Sequence, residues 1–262
     1  MTAKPARVLI VAGSDCSGGA GIQADIKTAT ALGVYAMTAV TAITVQDTSG
    51  VYAVQELSPR LVRDQILACL RDIGADAIKT GMMASAEVVE TVSDTLAAHA
   101  AGVPLVVDPV LAPTSGEPFL DERGLRALKA RLIPLATVST PNVAEAQALW
   151  GSARDVLASA QLQKSAVLIT GAESESNRIV DTLVGAGLEK RTFESARIDS
   201  KHTHGTGCTL STAIACGLAQ GLILEEAVQA AHDFVHHAIR TAPGLGRGHG
   251  PLNHMHGIDQ RK

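Results

Sequence analysis

VLIVAGSDCSGGAGIQAD, residues 8–25, is the stretch whose reading decides the fold. A short apolar run breaks into four glycines, Gly13, Gly18, Gly19 and Gly21, before the chain enters a segment of helical spacing. The same succession recurs downstream. Runs rich in Val, Ile and Leu occupy 7–12, 35–44, 76–80, 104–108, 137–139 and 166–170, and helical patterns such as 61–73 and 87–98 lie between most of them. This alternation predicts a mostly parallel sheet covered by helices on both faces. Between residues 180 and 199 the pattern changes to two strand-like pieces, VDTLV and RTFESARID, joined by GAGLEK, which predicts a hairpin at the sheet edge. Helical segments at 209–220 and 225–240 and a glycine-rich tail complete the chain. Ligands in such sheets sit beyond the carboxyl ends of the strands. The residues just after each run are therefore the first candidates for chemistry.

Composition narrows the classes. A chain of 262 residues without a Pro/Ser-rich linker is expected to form one domain over 1–262. A net charge of −4, with three Phe, two Tyr and one Trp, supplies neither a basic surface nor stacking platforms, so no nucleic-acid partner is expected. The N-terminal apolar stretch is too short for a signal peptide and no run suits a membrane span, which predicts a cytoplasmic protein with no membrane partner. Cys16, Cys69, Cys208 and Cys216 form no CxxC pair, as expected of reduced thiols.

Three constellations carry chemistry. In the opening stretch Gly13 and Gly18 have P-loop spacing, but Gly19 stands where the phosphate-binding lysine belongs and no GxGxxG is present. The glycines either approach a ligand or form a tight strand-to-helix turn. A better phosphate candidate is HGTGCTLSTAIACGLAQG, residues 204–221. Gly205 and Gly207 free the amides of residues 205–208, including Thr206, to converge where a helix beginning near Cys208 adds its positive end. Such a nest suits an anion, and its field lowers a thiol pKa so that the Cys208 sulfur can accept a proton. The plainer reading is a helix cap with a buried cysteine. In TPNVAEA, Asn142 and Glu145 share one face of a first helical turn, where two oxygen ligands could hold Mg2+ with Asp108 of LVVDPV nearby. An early-turn Glu is also an ordinary dipole partner.

Taken together, AGSDCSGGAGIQADIKT, AITVQDTSGV, IKTGMM, VVDPV, TPNVAEA, HGTGCTLSTAIA and the terminal GHGPLNH resemble the hydroxymethylpyrimidine and phosphomethylpyrimidine kinases of thiamine biosynthesis, members of the ribokinase-like superfamily. The resemblance spans nearly the whole chain. It implies a three-layer α/β/α sandwich, ATP and Mg2+ as cofactors, a small pyrimidine as acceptor and a homodimer. By that likeness Gly13, Asp25, Thr44, Gln46, Met82 and Val110 hold the pyrimidine. Gly205, Thr206, Gly207 and Thr170 meet the ATP phosphates, Cys208 acts as base, and Asp108, Asn142 and Glu145 serve the metal. Gln46 suits an aminopyrimidine edge because its amide both donates and accepts.

Departures are also present. Many relatives carry Lys-Gly-Gly-His where this chain has Thr170-Gly171-Ala172-Glu173, and several place Lys at the position of Thr114. These changes bear on phosphate contacts and on the second kinase step. Residues 110–119, with two prolines and a glycine, read as a flap over the site or as an irregular connection. His232 and His236, four apart on a helix, and His249, His254 and His256 of the tail are not read as metal sites; the tail is expected to pack across the end of the sheet. Two other functions remain open on the sequence: a pyridoxal or pyridoxine kinase, and a non-catalytic pyrimidine-binding protein.

Overall fold

The structure is a computed structural model that describes residues 4–112, 118–151, 158, 165–174, 177–185 and 187–259. Among the described residues, nine strands form one sheet in the order β3-β2-β1-β4-β5-β6-β7-β8-β9. The central strands β2 (Tyr35–Asp47), β1 (Arg7–Asp15), β4 (Ala77–Thr80), β5 (Leu105–Val107), β6 (Val138–Ser139) and β7 (Ala166–Ser174) run parallel. The edges are antiparallel. β3 (Gly50–Glu56) pairs with β2, while β8 (Arg178–Gly185) and β9 (Arg191–Ala196) extend the sheet beyond β7.

Strand β1 shows why the sheet is covered on both faces. Leu9 and Val11 enter one apolar core, and Val8, Ile10 and Ala12 enter the other, as side chains alternating along a strand must. The first core is closed by α2 (Pro59–Asp72), α3 (Ala86–His99), α4 (Glu122–Ala127) and α5 (Val143–Trp150). The second is closed by α1 (Gly21–Ala31), α6 (Thr206–Ala219) and α7 (Leu224–Arg240). The layered sandwich is therefore present. A short α8 (His256–Asp259) follows the tail. Among the described residues no helix is long and apolar enough to cross a membrane.

Two expectations change. The sequence reading placed a hairpin at one edge, whereas antiparallel strands close both; β3 was missed because Tyr52, Val54 and their neighbours are exposed and present no buried face. The helix expected near Cys208 starts at Thr206, so Cys208 lies inside its first turn.

Two register shifts aim residues at the carboxyl end of the sheet. β1 shifts against β2 between Ala12 and Ser14, at Gly13, and β2 shifts against β3 between Val45 and Gln46. Bulges of this kind re-aim side chains beside active sites.

Candidate active site

The carboxyl ends of β1, β2, β5, β6 and β7 and the first turn of α6 surround a cavity of about 360 Å3. Gly13, Thr44, Gln46, Met82, Val110, Asp108, Asn142, Glu145, Thr170, Gly205, Thr206, Gly207 and Cys208 all line it. Asp25 does not. Its carboxylate lies fully buried behind the cavity, bonded to Lys79 Nζ at 2.9 and 3.0 Å and accepting from Thr212 Oγ1 at 2.7 Å. The pyrimidine contact implied for Asp25 is therefore replaced by a buried ion pair, because α1 packs this face onto β4 and α6.

The opening glycine loop binds an anion of its own. The Asp15 carboxylate accepts from the amides of Ser17, Gly19 and Ala20 and from Ser17 Oγ, and His204 Nε2 lies 3.0 Å away. Burial alone would raise the Asp15 carboxyl, yet His204, Ser17 and the Ala20 amide hold it at about 2. Thus the loop is a tight turn wrapped around its own carboxylate, with Gly13 on the cavity wall. Cys16 Sγ fixes the Gln46 backbone, donating to its carbonyl at 3.2 Å and accepting from its amide at 3.4 Å. That contact holds the Gln46 strand end against the loop.

The second glycine turn remains open. Gly205 caps α6 with φ +85° and no side-chain cap, and a Cβ there would strike the carbonyl oxygen of Gly19. The two glycine loops therefore press directly together, which only glycine permits at this φ. The Thr206 amide is spent on the Thr203 carbonyl at 3.2 Å. The amides of Gly207 and Cys208, in the unpaired first turn, find no protein partner among the described residues. The nest is narrower than residues 205–208.

Electrostatics around Cys208 run opposite to the helix-dipole expectation. Burial pushes the thiol up to about 12; Asp25 and Asp108 add to the rise, while Lys79 and the Gly21 amide oppose it. Lys79, fully buried in the middle of β4, is a residue the sequence reading passed over. Burial works against its ammonium, but Asp25, Cys208 and Asp108 hold it charged. A lysine inside the apolar run around AIKT was the available signal.

Asn142 and Glu145 form a reciprocal capping box. Asn142 Oδ1 accepts from the Glu145 amide and Glu145 Oε2 accepts from the Asn142 amide, each at 2.9 Å. Burial raises both nearby carboxyls, Asp108 to about 6 against the pull of Lys79 and Glu145 to about 7 with help from the Asp108 charge. The Asp108 Oδ2 lies 3.8 Å from where a Gly207 Cβ would stand. Thr140 Oγ1, buried without a partner among the described residues, opens into the same cavity.

A second cavity of about 300 Å3 adjoins the first and shares Thr170, Thr203, Thr206 and Gly207 with it. Ile179, Ile198, Leu210, Val235 and Ile239 make its wall apolar, and the His232–Asp181 pair, 3.8 Å apart, supplies polar groups. The sequence reading missed this cavity, although the i, i+4 spacing of His232 and His236 marked the helix face that borders it. Thr114 and the rest of 113–117 in the predicted flap lie outside the described residues, as does the side chain of Glu173.

These features meet a clear match. A family profile described as phosphomethylpyrimidine kinase covers residues 15–253. The chain belongs to that family. It is 44% identical to a hydroxymethylpyrimidine/phosphomethylpyrimidine kinase of Streptomyces coelicolor over 95% of this chain and 94% of the relative. Among solved structures, the phosphomethylpyrimidine kinase of Clostridium difficile is 37% identical with a TM-score of 0.77, covering 89% of this chain and 99% of that one. An ADP complex of Bacillus subtilis pyridoxal kinase is 35% identical with a TM-score of 0.85, covering 96% and 98%. Members of this family are phosphotransferases, and the fold agrees with the ribokinase-like layering implied by the sequence.

Proposed function

We propose that this protein, acting as one kinase domain, transfers the terminal phosphoryl group of ATP to 4-amino-5-hydroxymethyl-2-methylpyrimidine and then to the resulting monophosphate, in thiamine biosynthesis. The observation that carries the reading is the convergence of Gln46, Met82 and Val110 on one cavity with the unpaired amides of Gly207 and Cys208.

The adjoining apolar cavity suits the nucleoside of ATP, and the shared rim at Thr170, Thr206 and Gly207 suits its phosphates. Gln46 orients the acceptor ring with its amide while Gly13, Thr44, Met82 and Val110 enclose it. Phosphoryl transfer depends chiefly on positioning and on neutralising charge spread over the equatorial oxygens. The Gly207 and Cys208 amides, with the positive end of α6, face that charge. Cys208 takes the alcohol proton. Because its thiol is protonated at rest, it first gives its own proton to water, and the thiolate, favoured by the Lys79 charge and the Gly21 amide, then accepts the proton of the acceptor hydroxyl as that oxygen bonds to phosphorus. A phosphate acceptor needs no such base, so one anion site serves both steps.

The residues fit Mg2+. The Asp108 carboxyl, whose charge raises the half-buried Glu145 beside it, forms with Glu145, the anion nest and the orphaned Thr140 hydroxyl an oxygen-rich corner suited to a cation. Asp108 and Glu145, with Asn142 beside them, would hold the ion, which neutralises developing phosphate charge when bound. Two carboxylates suffice where phosphate and water complete the shell.

Four unpaired thiols fit a reducing cytoplasm. The exposed apolar residues Ile43, Val45, Tyr52 and Val54 on the β2–β3 edge fit a homodimer seated there.

The pyridoxal reading rests on the similarity to the Bacillus subtilis enzyme. Comparing kcat/KM for the two vitamin precursors separates the readings. The direct test is mass analysis after incubation with the pyrimidine, excess ATP and Mg2+. Mono- and diphosphate are expected; absence of ADP formation would leave a binding protein.

A further inference from the structure

The terminal GHGPLNH motif lines neither cavity. Its contacts nevertheless join the two halves of the site. At one end the tail grips the β2–β3 turn, two residues beyond Gln46. The Gly248 amide donates to Thr48 Oγ1 at 3.1 Å and the His249 amide donates to the Thr48 carbonyl at 2.8 Å. The approach is so close that a Cβ on Gly248 would collide with the Thr48 carbonyl oxygen, and one on Gly246 with the Thr48 side chain. At the other end the tail runs into the anion turn. His204 donates its amide to the Gly250 carbonyl at 3.1 Å, and His204 and Pro251 form a parallel bridge.

Three residues later the buried His254 completes the connection. Its Nε2 lies 2.9 Å from Thr209 Oγ1, which donates to the Gly205 carbonyl at 2.8 Å. Burial pushes the His254 imidazole down to about 4, so it is neutral, and with the Thr209 hydroxyl already donating, Nε2–H is the donor to that oxygen. Leu252 is 3% exposed, and the bond from the Asn253 amide to the Ala238 carbonyl at 3.0 Å fastens the segment to α7. A segment tied at 248–249, at 250–251 and at 253–254 transmits displacement rather than absorbing it.

We infer that residues 246–254 are a positioning strut that fixes the distance between the acceptor-reading turn at Gln46 and the phosphoryl-binding turn at Gly205–Cys208. Thr48, Gly248 and His254 are its positioning residues, and none of them touches substrate. The inference rests on the functional reading above for what the two turns bind, but not for the mechanical link itself. It explains why a tail remote from the cavity is glycine-rich: side chains at 246 and 248 would wedge the Gln46 turn away from the tail. An error of about 1 Å between reacting groups costs up to about a hundredfold in rate.

The test uses full-length Thr48→Ala, Thr48→Ser and Gly248→Ala, with thermal melts as a folding control. Kinetic constants are measured with the pyrimidine and ATP varied separately, alongside amide hydrogen exchange of the protein without ligands. Gly248→Ala is expected to raise the pyrimidine KM and lower kcat by about tenfold each. Thr48→Ala should show about a threefold effect that Thr48→Ser reverses, because serine keeps the accepting oxygen. Both Thr48→Ala and Gly248→Ala should speed exchange at the hydrogen-bonded Thr206 and Thr209 amides across the cavity. Faster exchange confined to 46–50 and 246–250, with kcat within twofold of the parent, would overturn the strut. Thr48→Ala sits in a partly exposed turn and carries the test if Gly248→Ala does not fold. A parent protein without kinase activity would overturn the functional reading instead, and the exchange data would still decide the strut.

Discussion

Two glycine-rich turns meet in this molecule and use the same chemistry to opposite ends. In the first, after β1, the backbone amides of Ser17, Gly19 and Ala20 converge on the chain's own Asp15 carboxylate. In the second, at the first turn of α6, the amides of Gly207 and Cys208 converge on open cavity. A nest filled by the chain's own carboxylate is a structural joint, and one open to a cavity is free to take an outside anion. Glycine content alone does not separate them; the nearest carboxylate does.

The comparison can be broken most forcefully at Gly205. An alanine there must adopt φ +85° and drive its Cβ into the Gly19 carbonyl, separating the two turns. We expect kcat/KM to fall by about a thousandfold with far-ultraviolet circular dichroism unchanged. Cys208→Ala tests the chemistry of the open nest. Its kcat with the hydroxymethyl acceptor should drop about a hundredfold, while the monophosphate acceptor loses much less, measured in paired ADP-release assays. Equal losses on the two acceptors would remove Cys208 as the base.

Asp15→Asn tests the closed nest, and there the expected effect is on stability. A carboxyl held at about 2 against an ordinary value near 4 corresponds to about 2 kcal/mol. Because the folded pKa is depressed, that stability is fully present above about pH 4 and is lost as pH falls through about 2. Urea titrations should therefore show a gap between the parent and Asp15→Asn at pH 7 that closes near pH 2. The smallest effect is expected at Gln46. Removing its amide with Gln46→Ala should raise the pyrimidine KM about tenfold and leave the ATP KM unchanged.

Much of the layout was legible because parallel strands buried on both faces must be continuously apolar. Val8 to Ala12 supply both cores at once, and that pattern announces the sheet without any partner strand. β3 escaped for the converse reason, having no buried face to leave a periodicity. Within the site, the glycines and the Asn142/Glu145 spacing were visible because each acts through local backbone geometry, whereas the part given to Gln46 came from the family resemblance. Asp25 and Lys79 were not, since their meaning lies in a pairing across 54 residues of sequence. The Cys208 thiol was misjudged for the same reason. A helix terminus is local, but the burial and the charges of Asp25 and Asp108 that outweigh it arrive only when α1 and β5 pack beside α6. The second cavity is likewise a product of packing, between the β8–β9 edge and α7.

The most direct measurement is a crystal structure with the pyrimidine and a non-hydrolysable ATP analogue. The account predicts the terminal phosphate within hydrogen-bond distance of the Gly207 and Cys208 amides, with the acceptor hydroxyl between it and Cys208 Sγ. A terminal phosphate seated instead on the Asp15 loop, or nowhere near α6, would contradict it.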